Sequence, residues 1–132
     1  MFDWLANPYR FSKLTGNLQL PLIILSTTMI SLGLYYGLFD SPKDYQQGDA
    51  VRIMYVHVPS AWLASFLYFS LALSCIFYLV WKHPLADLIA NTIAPIGLIF
   101  SILTLITGSL WGKPMWGTWW VWDARLTSML IL

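Results

Sequence analysis

Charged side chains are scarce in this 132-residue sequence: Asp, Glu, Lys and Arg together make up 10% of it, against about 25% in ordinary soluble domains. With 58% hydrophobic and 17% aromatic residues and a positive mean hydropathy, the composition is that of a membrane chain. Formal net charge is +1, so there is no basic field to attract nucleic acid, and no nucleic-acid partner is expected. Cysteine is limited to Cys75. A single cysteine excludes an internal disulfide, a Cys-x-x-Cys redox pair and a Cys-x-x-Cys-His heme attachment site; within its apolar run it reads as a small buried hydrophobe. The N-terminus, MFDWLANPYRFSKLTGN, lacks the short apolar core and small-residue cleavage site of a secretory signal, so an uncleaved first span is expected.

Long uncharged runs are abundant. Leu18 to Phe39 is 22 residues without a formal charge, enough at about 1.5 Å per residue to cross a hydrocarbon core of about 30 Å. Ile53 to Trp81 is also uncharged, and Pro59 divides it near its start. Pro is tolerated in a first helical turn, so a span over 60–81 is expected, with His57 just ahead of it at the membrane surface. Residues 88–110 form the third run; its polar members Asn91, Thr104, Thr107 and Ser109 can bond to their own helix or to a neighbour. The terminal RLTSMLIL resembles the entrance to a fourth span. The fold class expected is therefore an all-α polytopic integral membrane protein, with three complete transmembrane helices and the start of a fourth in an N-terminal fragment incomplete at its C-terminus. The stretch DSPKDYQQGD, Asp40 to Asp49, reads as an aqueous loop, and WKHPLAD, Trp81 to Asp87, as a tight turn.

Two complete spans separate His57 from Trp111, so the two face one compartment and His83 faces the other. Counting Arg10, Lys13 and Lys82 against Lys43, Arg52, Lys113 and Arg125 does not decide which compartment is which.

The segment 111–125 contains five of the eight tryptophans within twelve residues. Trp4, Trp62 and Trp81 suit an interfacial belt, but five indoles in one loop exceed what anchoring requires. Gly112, Pro114 and Gly117 are expected to break any helix before Gly117. Trp116, Trp119, Trp120 and Asp123 nevertheless have the i, i+3, i+4, i+7 spacing of one helix face. Such a face would be a flat aromatic shelf, suited to a wide planar ligand such as a porphyrin or quinone ring. Lys113, Arg125 and Arg52 on the same side could pair porphyrin propionates. His57 is the one histidine on that side and the candidate axial ligand for iron; taken alone, a histidine at a helix start is more often structural. Asp123 either orients donors or caps the fourth helix, and Arg125 either pairs a propionate or anchors at the membrane surface.

WGTWWVWDARLTS, Trp116 to Ser128, with TGSLWGKPM before it, resembles the tryptophan-rich WWD motif of heme-handling membrane proteins. DYQQGDAVRIMYVHVPSAW, Asp44 to Trp62, narrows the resemblance to the heme exporter protein C family (CcmC) of c-type cytochrome maturation. The resemblance runs through essentially the whole chain. It implies a six-span protein of the bacterial inner membrane with a cytoplasmic N-terminus, which puts His57 and the Trp-rich loop in the periplasm. It implies non-covalent or transient binding of heme b by two histidines from two periplasmic loops, with the WWD segment against the porphyrin. It also implies delivery of heme to a membrane-anchored chaperone of the CcmE type, with ABC transporter subunits and a small membrane subunit as further partners, and a delivery protein rather than an enzyme. His57 matches the first histidine; the second has no counterpart in these 132 residues. On this reading Trp116, Trp119, Trp120 and Trp122 form the platform, Asp123 orients donors or presents the loop, and Arg125 or Lys113 pairs a propionate. A b-type electron-transfer subunit is the alternative; it would hold heme on intramembrane histidines, and none of the three expected spans carries a central one. A permease subunit would show charged or broken helices near the midplane, at which only Asn91 and Pro95 hint.

Overall fold

The computed structural model describes residues 8–132, so the expected anchor Trp4 lies outside the described residues, as does the side chain of Arg10. The described residues form four α-helices: α1 (Pro8–Tyr35), α2 (Val51–Trp81), α3 (Pro84–Trp116) and α4 (Ala124–Ile131). Three helices, the first taken as Thr15–Asp40, are long and apolar enough to cross a membrane, and there is no strand among the described residues. The protein is a membrane protein of the expected all-α class.

The chain divides into two units, residues 1–40 and 41–132. In the first, Pro8 opens α1, where a missing N–H costs nothing. The Ser26 and Thr28 hydroxyls donate back to Ile23 O and Ile24 O, which satisfies them without water in an apolar span. A π-helical turn, Tyr36–Asp40, ends the unit. Tyr35 meets Tyr36 edge-on at 5.5 Å and Phe39 at 6.1 Å, an aromatic cluster of the kind found at membrane interfaces.

The second unit is built on a hairpin of α2 and α3. Lys82 closes α2 in the left-handed region (φ 52°), its N–H donating to Tyr78 O, and His83 leads into Pro84 at the first position of α3. The expected seven-residue turn thus shrinks to two residues, because one left-handed residue followed by an N1 proline reverses the chain. The seam between the helices is small and polar: Ser60, Ala64 and Ser74 of α2 are buried, as are Ala86, Thr104, Thr107, Gly108 and Gly112 of α3. In lipid, apolar side chains gain nothing by leaving the hydrocarbon for a helix interface, so close approach over small residues holds the pair. Large apolar residues such as Phe66, Phe69, Ile99 and Ile106 face outward.

Three further expectations are corrected. The second helix begins at Val51, not residue 60, and includes His57 and Pro59; its 31 residues extend about 46 Å, well beyond one hydrocarbon thickness, so His57 still lies near its end. A proline inside a membrane helix removes one backbone bond without terminating it. The third helix runs 84–116 rather than 88–110, continuing through Gly112 and Pro114. Cys75 is exposed on α2 rather than buried.

Candidate functional site

The end of the hairpin opposite Lys82 gathers the residues that the sequence singled out. On α3, Gly108 and Gly112 are one turn apart, about 6 Å along the axis, and both are buried. A Cβ on Gly108 would stand 3.1 Å from His57 Cε1. A Cβ on Gly112 would stand 3.2 Å from Trp116 Cε3 and 3.3 Å from its Cζ3. The imidazole and the indole therefore rest on neighbouring glycines of one helix face, each in space that only the lack of a side chain provides.

His57 Nδ1 lies 2.9 Å from Thr107 Oγ1, which leaves Nε2 as the ring nitrogen for a ligand. Thr107 is buried, and its hydroxyl also bonds Leu103 O at 2.7 Å. Leu126 of α4 approaches the same spot, its Cδ2 standing 3.9 Å from the position of a Gly108 Cβ.

Trp116 meets Trp111 edge-on at 5.2 Å, and Trp111 is tied by its Nε1, which donates to Gln47 Oε1 at 2.9 Å. Gln47 is held in turn, because Asp44 Oδ1 accepts from the backbone N–H groups of Gln46 and Gln47 and Gly48 takes the left-handed conformation (φ 58°) that closes the turn. The loop is fastened further by Lys43 to Asp49 at 2.8 Å and by Arg52 Nη2 donating to Ser41 O. The Lys43 ammonium, helped by Arg52, holds the Asp49 carboxyl below the usual range.

Helix α3 ends at Gly117, whose φ of 76° reverses the backbone and whose N–H donates to Lys113 O. Residues 117–123 are not helical, so the expected single helix face bearing Trp116, Trp119, Trp120 and Asp123 does not form. Gly117 stops the helix more readily than the sequence spacing extends it. The indoles form separate groups instead. Trp120 and Trp122 pack edge-on at 5.5 Å, and the Lys113 ammonium sits 5.7 Å from the Trp119 ring centre while donating to Gly117 O.

Asp123 is the N-cap of α4: its Oδ1 accepts from Leu126 N at 2.8 Å, and its Oδ2 accepts from Arg125 Nε at 3.0 Å and Nη2 at 2.7 Å. The Leu126 amide first, and the Arg125 guanidinium second, hold its carboxyl below the usual range. Arg125 also lies 5.5 Å from the Trp116 ring centre. Of the sequence-predicted residues, His57, Trp116, Asp123 and Arg125 are linked through Gly108, Gly112 and Leu126, whereas Lys113 with Trp119, and Trp120 with Trp122, form flanking pairs. Thr107, Gly108 and Gln47 are the residues whose roles the sequence did not reveal. His83 is at the far end of the hairpin.

Comparison with known proteins bears on the same segment and the rest of the chain. The model of the family described as heme exporter protein C matches residues 1–132. Heme exporter protein C of Bradyrhizobium diazoefficiens is 52% identical over 128 residues, covering 97% of this chain and 48% of that protein. The proteins of the same name from Escherichia coli K12 and Haemophilus influenzae are 47% and 46% identical, over 97% and 100% of this chain and 52% and 55% of their own length. The chain thus spans about half the length of the curated relatives it matches. A family match over every residue, with this identity, is decisive: the chain belongs to the heme exporter protein C family.

Proposed function

We propose that this chain takes heme as cargo at the hairpin end bearing His57 and Trp116, on the periplasmic face of the bacterial inner membrane, and passes it to a membrane-anchored chaperone of the CcmE type for c-type cytochrome assembly. The relatives' name supplies heme export as the context. The observation that carries the reading is the seating of the His57 and Trp116 rings on Gly108 and Gly112 of one α3 face. It sets an imidazole with a free Nε2 beside an indole about one helical turn away.

The residues present fit heme b held without a covalent bond. His57 keeps Nε2 for iron. Trp116, Trp119 and Trp122 are 43%, 55% and 75% exposed, so their rings are open to a flat ligand, with Trp120 packed beside Trp122. Lys113 and Arg125 each have donors beyond the contacts they make within the protein, enough for two propionates. Asp123 fixes Arg125 and the start of α4 and so holds the cationic edge in place. Heme supplies the iron to which the imidazole binds; the chain supplies position and a surface open enough for handover. ABC transporter subunits and a small membrane subunit of the same system are the further partners in this reading.

The test is a hemin titration of the purified protein in lipid nanodiscs, followed by its Soret band. His57→Ala should abolish or shift the band and His83→Ala should leave it unchanged. Equal losses from the two substitutions would overturn the assignment.

A further inference from the structure

We propose that Thr107 is the positioning residue that locks His57 as its Nδ1–H tautomer and so presents the Nε2 lone pair to iron. The proposal deepens the heme-binding reading and rests on it for the identity of the ligand, but not for the tautomer.

A threonine hydroxyl has one hydrogen and accepts through its lone pairs. Thr107 Oγ1 lies 2.7 Å from Leu103 O, a carbonyl that can only accept, and 3.3 Å from Thr104 O, another. The hydroxyl hydrogen is committed to these backbone oxygens, the nearer one foremost. The contact of 2.9 Å between Thr107 Oγ1 and His57 Nδ1 then has its hydrogen on the imidazole: Nδ1–H donates and Oγ1 accepts. In a neutral imidazole only one nitrogen carries a proton, so Nε2 holds the free lone pair. Coordination through Nε2 forms one nitrogen–iron bond and releases no proton.

The surroundings fix the geometry as well as the proton. Thr107 is 7% exposed, and being β-branched it has few χ1 choices in a helix. Gly108, the next residue, lets the imidazole approach the α3 backbone so closely that a methyl group there would crowd Cε1 at 3.1 Å. Ligating histidines commonly donate their second nitrogen to a carboxylate, a carbonyl or water. A neutral hydroxyl polarises the ring less than a carboxylate does, which suits a ligand that must let its cargo go.

The experiment reads the tautomer without heme. Protein labelled with 15N-histidine in nanodiscs gives imidazole nitrogen shifts that distinguish protonated from unprotonated nitrogens, with His83→Gln used to assign His57. Wild type should show protonated Nδ1 and unprotonated Nε2 at His57. Thr107→Val, nearly the same shape with no acceptor, should weaken that preference, with the Thr104 carbonyl left as the remaining acceptor near His57, and Thr107→Ser should keep it. An Nε2–H tautomer in wild type, or an unchanged tautomer in Thr107→Val, overturns the proposal. Hemin is then added: Thr107→Val should bind it about 10- to 100-fold more weakly, the usual effect of losing such a partner, with Thr107→Ser restoring affinity. A tautomer that responds as expected while hemin affinity stays constant would overturn the role of Thr107 toward iron and leave the hydrogen bond as a packing feature; the assignment of His57 as ligand falls only if His57→Ala also binds hemin as wild type does.

Discussion

Trp111 and Gln47, 64 residues apart in sequence, are joined by a hydrogen bond of 2.9 Å from indole Nε1 to amide Oε1. The bond fastens the loop before α2 to the last turns of α3, and through the edge-on Trp111–Trp116 pair it braces the candidate heme platform. A net hydrogen bond is worth about 1 kcal/mol, and an edge-on aromatic pair adds about as much. Trp111→Phe keeps the ring and loses the donor. Thermal unfolding in detergent should show a loss of about 1 kcal/mol for Trp111→Phe and for Gln47→Ala, and no further loss in the double variant. Additive losses would mean that the two residues act separately.

Gly108 and Gly112 should matter for opposite neighbours. Gly108→Ala crowds His57, and Gly112→Ala crowds Trp116, although each substitution favours the helix itself by about 1 kcal/mol. Hemin titration should therefore show weaker binding in both, with helical content intact. Gly33→Ala is the control, since nothing lies within 4 Å of a Cβ at that site, and it should leave binding unchanged. A loss as large in Gly33→Ala would point to general destabilisation.

Much of this was legible in the sequence, and the reasons differ by element. Uncharged runs announced the three spans because lipid tolerates few charges, but they marked the membrane-crossing portion rather than the helix, so Val51 and Trp116 were missed as end points. Counting crossings put His57 with the Trp-rich segment and His83 apart, and the hairpin agrees. The aromatic shelf failed because a spacing of i, i+3, i+4, i+7 cannot reveal that Gly117 reverses the backbone between Trp116 and Trp119. Asp123 was readable as a cap from its residue type and the apolar run after it. The partner of Thr107 was not readable: its capacity to bond a neighbour was plain, but which neighbour depends on the register of α2 against α3.

The hairpin puts Gln46 and Thr118 at one end and Lys82 at the other, and the proposed orientation makes the first end periplasmic. In a Cys75→Ala background, single cysteines at Gln46 and Thr118 should react with an impermeant thiol reagent added to intact spheroplasts, and a cysteine at Lys82 should react only after lysis. Labelling of Lys82→Cys from outside, with the other two spared, would reverse the proposed orientation while leaving the hairpin intact.

Acid should loosen the start of α4 through Asp123. Its carboxyl titrates below the usual range because the charged form is bonded to the Leu126 amide and Arg125, so the folded-state pKa is below the unfolded value of about 3.9. The stabilisation is fully present above that unfolded value and is lost as pH falls through the folded one. Protection of the Leu126 amide against hydrogen exchange, taken relative to the intrinsic rate at each pH, should be high at neutral pH and fall under strong acid. Asp123→Asn retains an acceptor for the cap without the charge, and its exchange should depend less on acid than that of wild type. Equal acid sensitivity in the two proteins would place the responsible group elsewhere.

The two histidines make the most direct statement about iron. His57 and His83 are separated by most of α2, about 39 Å at helical rise, so a single iron cannot reach both within one molecule. Hemin bound by these 132 residues in a monomeric nanodisc should therefore carry one protein imidazole, with the opposite axial position open to water or an added ligand. Free imidazole, titrated in, should convert the spectrum to that of a bis-imidazole complex, and His83→Ala should follow the same curve. His57→Gly should require two imidazoles for the same end point, because the protein no longer supplies the first. A bis-histidine spectrum before any imidazole is added, sensitive to His83→Ala, would require the two ends of the hairpin to meet and would overturn the arrangement of α2 against α3.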